Sequence, residues 1–313
     1  MKLVSSLSYT AEVPSVVALG FFDGVHLGHR AVLSRAKTLS LELGCDCTVW
    51  TFASSPKNYF SPRSVPQLTD GATKARLIEE LGADTLVSVP FDQAVADLSA
   101  EDFFHRILKS SLRASHIVCG YNYSFGAGGR GNVTLLESLC RTAGIGLTVL
   151  PAVTVEGMAV SSTMIRRALE EGRPEEAAKL LGRPFSIRTP VVDGQRLGRR
   201  LGFPTLNQLL EEDRLLPARG VYLSRVTLEG DSTPYFGITN LGRRPTVGGD
   251  FLGAETHIFD FSGDLYGTTV EVALLTFLRP ERKFDSVEAL SRQVHDDIEQ
   301  AIKMADKFNY CQK

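Results

Sequence analysis

A chain of 313 residues that is 43% hydrophobic and 22% charged has apolar surface for large cores but more length than one core usually organises, so two domains are expected. A formal net charge of -2 gives no general attraction for nucleic acid, whose binders carry a basic face. The longest apolar runs, such as Val272 to Leu278, fall far short of the roughly 18 residues that suggest a membrane span, and five cysteines with no CxxC suit neither a disulfide framework nor a zinc ribbon. No apolar leader precedes Pro14, so a cytoplasmic protein that engages neither membrane nor nucleic acid is expected.

In chain order, Val16–Leu19 reads as a buried strand, and Val32, Ala36, Leu39 and Leu43 recur at spacings of four, three and four, one face of a helix. Between them lies Gly20-Phe21-Phe22-Asp23-Gly24-Val25-His26-Leu27-Gly28-His29. A strand-to-helix turn aims free backbone N–H groups and the helix dipole at one point, and Gly24 and Gly28 allow a ligand close to the backbone, so this is a phosphate site by position. His26 and His29, three apart, share a face of the first helical turn and could stabilise charge on a phosphoryl group. Capping is the plain alternative for a bare HxxH, outweighed here by the glycines and the turn; zinc would need further ligands that the sequence does not offer in a complementary pair.

Cys47–Phe52, Thr85–Val89, Ile117–Cys119 and Leu147–Leu150 are further strand candidates separated by helix-length segments, which predicts a parallel, Rossmann-like sheet covered by helices. Gly126-Ala127-Gly128-Gly129-Arg130-Gly131 satisfies GxGxxG but is separated from its strand by Tyr121–Phe125, so it reads as a flexible phosphate-accessible loop rather than a dinucleotide fingerprint. No P-loop sequence is present. The hydroxyls of Ser161, Ser162 and Thr163 before a helix offer a cap and a second anion site, with Arg166 placed to reach a phosphate.

Two helices, Thr163–Glu171 and Pro174–Leu181, lead to a linker at Gly182-Arg183-Pro184. Beyond it, Gly220–Val226, Phe236–Ile238, Thr256–Phe261 and Val270–Leu278 are short strands broken by turn residues, the pattern of a small barrel, and Ser286–Lys307 carries helical periodicity. The glycines and Arg196, Arg199 and Arg200 of Gly194–Gly202 form a cationic loop suited to a triphosphate, while Thr205 and Asn207 are hard oxygen donors suited to Mg²⁺.

These segments resemble one family along nearly the whole chain, from about residue 14 to about residue 305. Gly20–His29 is similar to the GxFDGxHxGH pattern of bacterial bifunctional riboflavin kinase/FAD synthetases, Ser161–Arg166 to their SSTxIR, Cys119–Gly126 to a GxDFxFG-like segment, and the loop ending at Asn207 to the kinase signature GRxLGFPTAN. The resemblance implies an α/β Rossmann-like nucleotidyltransferase domain over 1–182 and a small antiparallel β-barrel riboflavin kinase domain with a C-terminal helix over 183–313. It implies ATP and Mg²⁺, riboflavin phosphorylated to FMN, and FMN adenylylated to FAD with release of pyrophosphate. By the same resemblance Gly20, Phe22, Asp23, Gly24, Gly28, Ser162 and Thr163 bind ATP phosphates, and His26, His29 and Arg166 act on the transition state. In the second half, Gly194, Gly198, Arg199 and Gly202 cover phosphates, Thr205 and Asn207 hold the metal, and Glu255 of Glu255-Thr256-His257 accepts the hydroxyl proton. Asn122, Phe125 and Arg279 contact flavin. Two departures stand out: Thr51-Phe52-Ala53-Ser54-Ser55-Pro56 replaces the usual TFxPHP, which predicts altered FMN affinity, and Leu206 replaces Ala, which predicts a crowded loop.

Overall fold

A computed structural model of the chain describes residues 1–61, 64–194, 198, 202–211, 213–231, 233–246 and 249–310. The chain divides into two compact units, Met1–Ser162 and Thr163–Lys313.

The first unit contains strands β1 (Lys2–Val4), β2 (Ser15–Leu19), β3 (Asp46–Phe52), β4 (Thr85–Val89), β5 (Ala114–Gly120), the two-residue β6 (Ser124–Phe125) and β7 (Gly131–Asn132), β8 (Gly146–Leu150), and the hairpin β9 (Thr154–Val155) and β10 (Met158–Ala159). Its helices are α1 (Leu27–Leu43), α2 (Pro56–Phe60), α3 (Gly71–Glu79), α4 (Gln93–Ala96), α5 (Ala100–Asp102), which runs on as a π-helical segment over Phe103–Ser111, and α6 (Val133–Ala143). The main sheet is parallel in the order β1-β4-β3-β2-β5-β8. Strand β2 is buried at every position, as a central strand covered on both faces must be. One face packs Val16, Ala18 and Val49 against Val32, Leu33 and Ala36 of α1; the other packs Val17, Leu19 and Trp50 against Phe103, Phe104 and Leu136. The parallel α/β layer expected for this half is present.

The second unit begins with α7 (Ser162–Glu170) and α8 (Pro174–Leu181), followed by β11 (Phe185–Pro190), β12 (Leu206–Leu209), β13 (Gly220–Leu228), β14 (Tyr235–Thr246), β15 (Gly249–Ile258), β16 (Thr269–Pro280) and a final helix α9 (Val287–Tyr310). The strands form one antiparallel sheet in the order β11-β16-β13-β14-β15-β12. The two outer strands nearly meet: Val192 N–H donates to Asn207 O at 2.8 Å. The Gln208 carboxamide crosses the same seam to Thr189 O at 3.0 Å and Val270 O at 2.8 Å. Leu206, Val226, Ile258, Val270 and Val272 cluster in one core, while Val221, Leu223, Ile238 and Leu275 pack under Ala301 and Ala305 of α9. The compact units part at Ser162/Thr163 rather than at the expected 182/183 because α7 and α8 pack with the barrel. Ala218 N–H donates to Leu169 O at 2.8 Å, and Gly172 lies so close to Phe277 that an added Cβ would sit 3.2 Å from its ring.

Candidate active sites

The β2–α1 turn is built from conformations that ordinary residues avoid. Gly24 has φ +81°, as glycine permits, but Phe22 (φ +55°) and Val25 (φ +40°) also lie in the left-handed region, where each non-glycine residue costs roughly 1–3 kcal/mol. The surroundings hold them there. The Asp23 carboxylate is buried and accepts from Leu68 N–H at 2.8 Å and Thr69 N–H at 3.3 Å. Gly24 N–H donates to Thr69 Oγ1 at 3.2 Å, Thr51 Oγ1 to Phe21 O at 2.8 Å, and Ser162 Oγ to Asp23 O at 3.0 Å.

The two histidines are fixed by the same turn. His26 is the N-cap of α1, its Nδ1 accepting from His29 N–H at 3.2 Å; that bond requires an unprotonated Nδ1 and leaves the Nε2–H tautomer when the ring is neutral. Capping and chemistry are therefore compatible in this residue. The His29 ring stacks on His26 at 3.6 Å between centroids and meets the edge of Phe22 at 5.3 Å. Burial, then His26 and the Lys74 ammonium, hold the His29 imidazole well below its ordinary value of 6.5. Its Nδ1 is buried without a hydrogen-bond partner among the described residues, and an unpartnered acceptor costs less than an unpartnered donor, so the proton belongs on Nε2. The site thus presents two imidazoles with Nε2–H as the donor at a helix start, an arrangement able to stabilise charge developing on a phosphoryl oxygen.

In the barrel, register brings the other candidate residues together. Glu255 on β15 lies directly opposite Asn207 on β12 and Asn240 on β14, and directly opposed residues of an antiparallel ladder share a face. His257, two positions on and so on that face, donates from Nδ1 to Pro204 O at 2.9 Å, which ties the strand holding Glu255 to the segment holding Thr205. A cavity of about 260 Å³ is lined by Thr205 and Asn207 with Thr256, Ile258 and the turn Phe261–Tyr266. Glycines press on these donors: a Cβ at Gly194 would fall 2.3 Å from Asn207 Nδ2, and one at Gly198 would fall 3.4 Å from Thr205 Oγ1.

Two family models cover the chain, FAD synthetase over residues 9–164 and riboflavin kinase over residues 181–305. The bifunctional riboflavin kinase/FMN adenylyltransferase of Pseudomonas fluorescens is 38% identical over 291 residues, 93% of each chain, and that of Escherichia coli K12 is 35% identical over 301 residues, 95% of this chain and 96% of the other. The chain belongs to the bifunctional riboflavin kinase/FMN adenylyltransferase family. A solved Streptococcus pneumoniae structure described as a macrolide-efflux protein superposes with a TM-score of 0.84 at 32% identity, covering 95% of this chain and 97% of its own. Among the described residues no helix is long and apolar enough to cross a membrane.

Several of the expected ligand residues carry structural duties. The Phe22 ring is buried in the core beneath the turn, where it supports His29, and the Asp23 carboxylate is turned to Leu68 and Thr69 to build the turn. Phe125, expected to stack on flavin, is buried, with Tyr123 stacked at 5.8 Å and Phe103 against it at 5.8 Å. Asn122 is exposed beyond β5. The loop over 126–131, expected to be flexible, is packed at its two ends, where a Cβ on Gly126 would meet the Ala100 backbone at 2.6 Å and one on Gly131 the Phe125 carbonyl at 2.8 Å, while Gly128, Gly129 and Arg130 between them are exposed. Leu206 is buried in the barrel core beside Val226 and Ile258; most of the loop it was expected to crowd lies outside the described residues. Thr163 is exposed and Arg166 half-buried on α7; Gly202 (φ +88°) is exposed, and Arg199 lies outside the described residues.

Arg279, expected to meet flavin, is committed to the final helix. Its Nε and Nη2 reach the Asp297 carboxylate at 2.9 and 2.7 Å, Nη1 donates to Pro280 O at 3.2 Å, and Asp297 is 2% exposed. Asp297→Ala would leave this guanidinium without its counter-charge, and a loss of about 3 kcal/mol in barrel stability is expected, measurable by thermal unfolding of the full chain.

Sequence reasoning passed over two features of the first unit. Lys74 on α3 is almost wholly buried, with Nζ donating to Phe52 O at 2.8 Å and lying 4.9 Å from the Phe21 ring centre. Burial pushes it down to about 8, opposed by Asp23. Tyr59, Phe60 and Phe91 form a cluster beyond β3 and β4, joined to Phe52 through Phe91 at 5.1 Å, with Tyr59 43% and Phe60 65% exposed.

Proposed function

We propose that FMN is adenylylated at the β2–α1 turn around His26 and His29, and that riboflavin is phosphorylated on the barrel face around Thr205, Asn207 and Glu255. Family membership establishes the two reactions; their assignment to these residues is supported most directly by the paired neutral imidazoles at a helix start. In FAD formation the phosphate of FMN attacks the α-phosphorus of ATP and pyrophosphate leaves. The α1 N-terminus brings backbone N–H groups to the triphosphate and Gly24, without a side chain, lets it approach the turn, with the imidazoles on the transferring group. The family motif assigns Ser162, Thr163 and Arg166 to the phosphates. The exposed Tyr59 and Phe60 rings, packed on Phe91, stand where parallel sheets bind ligands, beyond the C-terminal strand ends, and offer apolar faces for the isoalloxazine; the family motif assigns Asn122 to the flavin as well.

In the barrel, Glu255 accepts the proton of the ribityl hydroxyl while Gly194, Gly198, Arg199 and Gly202 surround the triphosphate. Thr205 Oγ1 and the Asn207 carbonyl fit Mg²⁺, since both are hard oxygens lining one cavity and the glycines beside them keep it clear of side chains. When bound, Mg²⁺ would neutralise charge on the phosphate oxygens. The free Cys45, Cys47, Cys119 and Cys140 suit a reducing compartment and support a cytoplasmic location. A chromatographic time course of the purified chain with riboflavin, ATP and Mg²⁺, repeated from FMN, is expected to show riboflavin becoming FMN and then FAD. Absence of one step would reduce its unit to flavin binding.

A further inference from the structure

Lys74 is 2% exposed, a placement in which an ammonium loses its hydration and needs compensation. It has three N–H donors, and among the described residues it makes one hydrogen bond, to Phe52 O at 2.8 Å. Asp23, on the turn, partly offsets the cost of burying this ammonium while its carboxylate accepts from the N–H groups of Leu68 and Thr69. His29, on α1, is held neutral, and His26 is fixed as the helix cap. On its own helix Asp70 caps Thr73, and Arg76 pairs with Glu80 at 2.6 Å. Its two contacts belong to different segments: Phe21 to the phosphate turn, and Phe52 to the end of β3, where the flavin-side sequence begins.

We propose that Lys74 is a further phosphate-binding residue of FMN adenylylation, its ammonium meeting phosphate oxygens where the FMN phosphate approaches the α-phosphate of ATP. The inference rests on the β2–α1 turn being the adenylylation site. In the reaction an oxygen of the FMN phosphate forms a bond to the α-phosphorus as the bond from that phosphorus to the α–β bridging oxygen breaks; FAD and pyrophosphate result, with no proton transfer required. Both reacting groups are anions, so a cation between them reduces their repulsion and stabilises the charge shared in the transition state. The neutral histidines cannot supply that charge. A bound phosphate would in turn keep Lys74 protonated despite its burial.

The test uses the full chain with Lys74→Gln, Lys74→Ala, Lys74→Arg and, as a reference, His29→Ala. Initial rates of FAD formation from FMN and MgATP are measured across pH 6–10, with thermal unfolding as the check of folding. Lys74→Gln should lower kcat/KM for FMN at least about 10²-fold, as loss of a transition-state donor does, with riboflavin phosphorylation unchanged. Lys74→Ala should regain activity with added ethylammonium, and Lys74→Arg should move the alkaline limb of the rate upward. Lys74→Gln within threefold of the parent, or Lys74→Ala inactive, folded and unresponsive to amine, would overturn the proposal. If both neutral variants unfold, an unmoved alkaline limb in Lys74→Arg overturns it and a displaced limb supports it. Retained FAD formation in His29→Ala would bring down the site assignment and Lys74 with it; an inactive His29→Ala beside an active Lys74→Gln would bring down Lys74 alone.

Discussion

His29→Ala is expected to lower FAD formation by about 10²–10³-fold, the usual loss when one preorganised donor to a developing oxyanion is removed, while FMN still accumulates from riboflavin. The ring is stacked on His26 and edged by Phe22, so it is positioned before substrate arrives and truncation removes a donor already oriented. The reaction itself should show no acid limb near 6.5 from this residue, because His29 is neutral well below that value. Stability behaves differently. Between its lowered folded value and the ordinary 6.5, the unfolded chain binds a proton that the folded chain refuses, so the contribution of His29 is complete above about pH 6.5 and is lost as pH falls toward the folded value. His29→Ala should therefore flatten the acid limb of a melting-temperature profile as well as silence FAD formation. A parallel loss of FMN production would contradict the division of labour between the units.

Glu255→Gln should reduce riboflavin phosphorylation by about 10²–10⁴-fold, the range for removing a general base, with adenylylation of supplied FMN as the internal control. Glutamine keeps the shape and hydrogen-bonding capacity of the side chain but cannot take the hydroxyl proton. The strand context argues for a loss in kcat more than in KM. Glu255 sits in register between Asn207 and Asn240, and His257 anchors the same strand to Pro204, so the placement of Thr205 and Asn207 and the sheet should survive the change. An FMN rate within threefold of the parent would take Glu255 out of the chemistry.

Much of the fold was legible because it rests on uninterrupted apolar runs. Val16–Leu19 and Thr85–Val89 are interior strands in the structure as in the sequence, and the helical spacing after Ser286 does become α9. Strands β14 and β15 run much longer than expected, over Tyr235–Thr246 and Gly249–Ile258. Their glycines and arginines carry weak strand preference, and it is mutual pairing that extends them. Strand β1 escaped notice because three residues at an edge have no readable period. In the site, the motif put His26 and His29 on one turn, but sequence alone did not show the structural contacts that Asp23, Phe22, Phe125 and Arg279 also make. Lys74 was hidden for a simpler reason: a lone lysine in an amphipathic helix reads as solvent-facing, and only the packing of α3 shows otherwise.

The barrel seam has a consequence for how the protein keeps to itself. Strands β11 and β12 are joined through the Val192–Asn207 bridge and the Gln208 side chain, so the sheet lacks long unpaired edges only while that short closure holds. Opened, it would present two strand edges able to recruit strands from other molecules, the usual beginning of aggregation. Asn207 belongs both to the closure and to the pair proposed to hold Mg²⁺, so occupancy of the kinase site by nucleotide would brace the seam. Substrate would then act as a guard against self-association.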